Sequence, residues 1–185
     1  MDSRIFERRT RFLERLPAGL AALAVLGRLL PHPPNFAPVG AAGLYAGSRM
    51  KGWQRWLVPL LAMVVTDPLL ALWHGFSPFT PITLVVYGSL CVYVWLGKRF
   101  LSGCNPRKLI VVSLSGSLQF YVLTNLAVWA FAGTYPATWW GLAACYIAAV
   151  PFFGWTVAGD LVYSGALFGI EAWARRCLKA GLQPA

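Results

Sequence analysis

The sequence predicts an all-α integral membrane protein: a bundle of six transmembrane helices with a short outer or re-entrant helix before the last span. Three observations predict it. The 185-residue chain is 58% hydrophobic and only 12% charged, with a mean hydropathy of +0.59, an apolar excess that one domain core of this size cannot hold. The net charge of +10 comes largely from short basic blocks beside apolar runs, as topology signals do, so the expected partner is a lipid bilayer and not nucleic acid. The nine tryptophans fall at the ends of the apolar runs, where aromatic belts form.

In chain order, residues 1–16 carry Arg4, Arg8, Arg9, Arg11 and Arg15 between apolar positions, a basic amphipathic lead-in expected on the cytoplasmic surface. Residues 17–174 form the six-helix transmembrane domain and residues 175–185 a basic cytoplasmic tail. The first span, 17–30, is interrupted by Arg28 and lacks an A-x-A-like cleavage site, so it reads as a retained helix and not as a signal peptide. The prolines at 31, 33, 34 and 38 stop that helix. A second span follows over 36–49, where Gly43 and Gly47 share one face and admit another helix closely, while Leu44 is expected to face outward. The third span, 53–73, is broken at Thr66-Asp67-Pro68, the fourth covers 80–97, the fifth 109–131 and the sixth 154–173. Residues 134–153, bracketed by Pro136 and Pro151 and too short to span, form the outer or re-entrant helix. Alternating the loops leaves Arg28 as the basic residue on the poorly charged face, so both termini are expected in the cytoplasm of a multi-pass inner-membrane protein.

Inside the spans the carboxylates Asp67 and Asp160 are costly enough to suggest function. Each lies about six residues, roughly 9 Å, from the outer end of its span, as does Asn125, while Asn35, His32 and His74 sit at the outer boundary. Thr156, Asp160, Tyr163 and Ser164 form one polar helical stripe, and Tyr121, Asn125 and Trp129 a second. Asn35, Asp67, Tyr121, Asn125, Trp129, Thr156, Asp160 and Tyr163 are therefore the candidate ligand-binding residues of an outward-opening pocket. Other roles compete: Asp67 before Pro68 fits an N-cap restarting a broken helix, Asp160 fits a buried partner of Arg28, and Asn125 fits interhelical glue. No catalytic motif or metal-ligand spacing is present in the sequence, so neither an enzyme, a metal nor a cofactor is expected.

The runs His32-Pro33-Pro34-Asn35-Phe36-Ala37-Pro38, Leu123-Thr124-Asn125-Leu126-Ala127-Val128-Trp129 and Ala149-Val150-Pro151-Phe152-Phe153 through Gly159-Asp160 resemble a family of small, uncharacterised bacterial membrane proteins. That family is similar to the S components of energy-coupling-factor (ECF) vitamin transporters. The resemblance implies an S-component-like bundle that binds a micronutrient from outside and docks on a transmembrane coupling subunit driven by ATPases. The A-x-x-x-A docking motif of S components is matched by Ala18 and Ala22. The expected function is thus a substrate-binding subunit for a small organic ligand, cationic if the two carboxylates contact it. The alternative is a structural or assembly subunit of a larger membrane complex, using the Gly/Ala face of residues 40–47 and the Trp-rich outer rim as contacts.

Overall fold

The computed structural model describes residues 3–75, 77–103 and 105–180, with side chains from residue 11 to residue 178. Among them every regular element is helical: α1 (Ser3–Leu26), a 3-10 turn (Gly27–Leu29), α2 (Val39–Arg49), α3 (Gln54–His74), α4 (Pro81–Phe100), α5 (Pro106–Phe131) and α6 (Trp139–Ala180). α3, α4, α5 and α6 are long and apolar enough to cross a membrane, which marks this as a membrane protein.

Local sequence explains the helix boundaries. Thr80 and Thr83 form a reciprocal capping box with Pro81 at the first helical position of α4, and Asn105 caps α5 through Arg107 N–H ahead of Pro106. Gly75, at φ 73°, closes α3 in the left-handed region. The segment between the 3-10 turn and α2 is not helical. There Phe36 N–H donates to Pro33 C=O at 3.0 Å and Asn35 has φ 65°, the geometry of a type II turn with proline and asparagine in its central positions.

The topology is a ring around a centre. α1 packs on α3, α3 on α4, α4 on α5, α5 on α6 and α6 back on α1, while α2 touches every member of the ring. Residues Ala41 to Gly47 of α2 are all buried. A Cβ at Gly47 would fall on the Val94 carbonyl, and one at Gly97 of α4 on the Leu44 carbonyl. These two glycines thus bring the α2 and α4 backbones together, the close crossing that small residues permit where apolar burial alone cannot favour one helix pair over lipid.

Several sequence expectations change. The second span does not run from 36 to 49: α2 has 11 residues, about 16 Å at 1.5 Å per residue, because Pro38 delays its start. Leu44 is wholly buried, since a helix surrounded on all sides has no outward face. The Gly/Ala face of 40–47 is occupied by α4 of the same chain, which removes it as a contact for another protein. α3 runs unbroken through Asp67 and Pro68, so Asp67 caps nothing. Residues 134–153 are not a separate re-entrant helix: from Trp139 they belong to the 42-residue α6, which accommodates Pro151 in its interior. The basic lead-in is likewise one helix with the first apolar stretch, and of the basic tail residues 181–185 lie outside the described residues. Ala18 and Ala22 are half-buried beside the core stripe of Ala21 and Val25.

Candidate functional site

Asp160 is the centre of the bundle's polar interior. It is 2% exposed, and one carboxylate oxygen accepts from Tyr93 Oη at 2.5 Å and from Ser117 Oγ at 2.6 Å. Ala41 N–H, in the first turn of α2, faces the same carboxylate. The carboxylate therefore sits at a helix N-terminus, where unpaired N–H groups and the helix dipole favour negative charge. Two glycines make the arrangement possible. A Cβ on Gly40 would strike both the carboxylate and the Tyr93 ring, and a Cβ on Gly116 would strike the same edge of that ring. The expected alternative, a pair between Asp160 and Arg28, is not formed.

Arg28 instead turns to Asp67. Its Nη1 lies 2.5 Å from Asp67 Oδ1 and 3.0 Å from both Thr66 Oγ1 and Met63 Sδ, while Tyr87 Oη donates to the second Asp67 oxygen at 2.6 Å. All three acceptors meet the same guanidinium nitrogen and share its two N–H groups.

Beside these two clusters lie three adjoining spaces. A cavity of about 140 Å³ at the start of α2 is lined by Arg28, Asn35, Gly40, Tyr93, Thr156 and Asp160, among others. A second, of about 240 Å³, lies between α5 and α6 and shares Asn35, Val86, Phe120 and Thr156 with the first. The third is an open depression of about 600 Å³ that shares Arg28, Asn35 and Ala37 with the first and has Trp73 and His74 on its rim. Asn35, at the tip of its turn, borders all three. The turn is held in place by Phe36, whose ring meets Trp155 edge-on at 6.1 Å and Tyr163 at 5.3 Å, and by its close approach to Gly159.

Of the sequence-derived candidates, Asn35, Thr156 and Asp160 line the first cavity, and Tyr121 and Asn125 line the second with Asn35 and Thr156. The other three lie apart from both. Asp67 is engaged by Arg28 and Tyr87, Trp129 Nε1 donates to Pro136 C=O at 3.0 Å, and Tyr163 supports Phe36. Asn125 does not bridge helices through its side chain, whose amide donates to Tyr121 C=O in its own helix at 2.8 Å.

Sequence reasoning missed Tyr93, Ser117, Tyr87 and Glu171. Glu171, 2% exposed, binds Arg49 Nε at 2.7 Å and Arg175 at 2.7 Å, and Arg49 also lies 5.0 Å above the Phe168 ring. Glu171 continues the stripe of Asp160, Ser164 and Leu167 at helical spacing, so extending that stripe two turns would have found it.

Comparison with known proteins gives one relationship. A family model described as a family of unknown function (DUF6580) matches residues 9–181. The chain belongs to this family. No curated protein and no solved structure matches it significantly.

Proposed function

We propose that this DUF6580 member is a membrane transport protein of the substrate-binding kind, resembling an S component, which takes a small organic molecule into the cavities at the start of α2. The observation that carries the reading is the adjacency of an open depression to a cavity bounded by Arg28, Asn35, Thr156 and Asp160, with Arg28, Asn35 and Ala37 lining both. Aromatic and aliphatic walls with a few convergent polar groups suit a small organic ligand. The first cavity, at about 140 Å³, matches the size of a single ring, and a larger ligand would extend into the space between α5 and α6. With Arg28 offset by Asp67, Asp160 is the remaining charge at the cavity, which favours a cationic or hydrogen-bond-donating ligand.

The same proposal includes six crossings. α1 with its 3-10 turn supplies one. The proline arm followed by α2 supplies another, in the manner of broken transporter helices whose irregular backbone lines a cavity. The basic ends of the helices then face the cytoplasm of a bacterial inner membrane, with both termini inside. Energy for uphill transport would come from a transmembrane coupling subunit with ATPases.

Mass spectrometry of gently purified protein tests the function. A small molecule retained by the wild type and displaced on heating is the expected result. A stable protein complex carrying no small molecule would favour the assembly role instead, for which the exposed Trp139 and Trp140 offer a contact. Labelling of a single cysteine at Ser102 by an impermeant reagent from outside the cell would overturn the orientation.

A further inference from the structure

We propose that the concave surface at the α4–α5 turn binds the phosphodiester headgroup of an anionic phospholipid. The space has a volume of about 660 Å³ and is separate from the cavities at α2. Arg99 from the end of α4 and Arg107 and Lys108 from the first turn of α5 border it. Three cations thus converge on one depression, with the positive end of the α5 dipole behind them.

Charge balance distinguishes this corner from its neighbour. At the α2–α6 corner, Arg49 and Arg175 are neutralised by Glu171. The sequence contains no Asp or Glu between residues 68 and 159, and among the described residues no carboxylate pairs with Arg99, Arg107 or Lys108. The corner therefore has a charge that no described carboxylate meets, placed at a helix terminus where lipid phosphates lie.

The walls select a lipid over a free anion. Val111 and Val112 line the same space one turn further along α5, so the cations occupy headgroup depth and the valines occupy acyl depth. Phe100 borders it as well, with the Arg99 guanidinium 5.3 Å from its ring centroid, a contact that holds the cation at the rim. Ser102 adds a hydroxyl. A polar mouth above an apolar wall matches a phosphodiester carrying acyl chains.

Native mass spectrometry of the full chain with phosphatidylglycerol or phosphatidylcholine added tests this. The wild type is expected to retain phosphatidylglycerol at least fivefold better than phosphatidylcholine. A triple variant, Arg99→Gln with Arg107→Gln and Lys108→Gln, should lose that preference. A charge-matched control, Lys51→Gln with Arg55→Gln and Arg176→Gln, should keep it. Ser102→Trp retains all three cations while filling the depression and should lose it as well, which separates a site from general surface charge. Equal loss in the triple variant and the control, unchanged retention in the triple variant or in Ser102→Trp, or full displacement of the lipid by equimolar glycerol phosphate would each overturn the proposal.

Discussion

The two ends of α2 are stabilised by opposite means. At its C-terminal end Arg49 meets Glu171, which also holds Arg175, and Arg55 reaches the Gly47 carbonyl at 3.5 Å. Cations there answer the negative end of the helix dipole. At its N-terminal end a carboxylate is held by a tyrosine and a serine, and open space lies alongside. Ion pairs close one end, whereas neutral donors fix the carboxylate at the other and leave the neighbouring volume for a guest.

The largest effect should come from the feature both ends depend on, the close crossing of α2 with α4. Gly47→Leu and Gly97→Leu are each expected to abolish folded protein, because the added side chain would occupy backbone positions of the other helix. Size-exclusion profiles check this. Wild-type profiles for both variants would remove the crossing as the frame of the comparison.

Next, Asp160→Asn should lower stability by about 3 kcal/mol, since charged hydrogen bonds and the interaction with the α2 terminus are both weakened. Glu171→Gln should cost less, about 2 kcal/mol, because Arg175 is 41% exposed and can recover water when its partner is lost. Thermal or denaturant unfolding of the two variants in one detergent ranks them. The reverse order would mean that the ion-paired end, and not the Asp160 end, anchors α2.

A smaller coupling is expected at Arg28 and Asp67. Arg28→Gln and Asp67→Asn should each destabilise by about 1–3 kcal/mol, and the double variant should recover part of that loss, since neither charge is then left alone. Combining Arg28→Gln with Asp160→Asn should give no such recovery. Strictly additive losses for Arg28 and Asp67 would break the pairing.

These contrasts also show what the sequence could disclose. Periodic apolar runs and the proline boundaries were legible because they act locally, whereas the Thr80 and Asn105 caps, equally local, were passed over. The stripe of Thr156, Asp160 and Ser164 was legible as one face of a helix, but its partners were not. Tyr93 and Ser117 lie 67 and 43 residues from Asp160, and the notches at Gly40 and Gly116 acquire meaning only once Tyr93 lies between them. Arg28 could pair with either carboxylate on the evidence of depth alone, and the choice of Asp67 depends on how the 3-10 turn meets α3. The shortness of α2 was obscured because an apolar run counts toward a span whether its backbone is helical or, as in the proline arm, irregular. Pro151 misled in the opposite sense, since a proline inside a long helix can be tolerated when neighbouring groups offset the lost hydrogen bond.

The smallest change in structure should produce the clearest change in function. Thr156 borders both interior cavities, and its hydroxyl donates to Phe152 C=O in its own helix at 3.0 Å, so it carries little of the bundle's stability. The decisive measurement is the amount of small molecule retained by Thr156→Phe relative to wild type, read by mass spectrometry beside a melting curve. A near-wild-type melt with retention reduced at least tenfold, equivalent to about 1.4 kcal/mol, is the predicted result. Equal retention by the two proteins would place the ligand elsewhere and contradict a binding site at the start of α2.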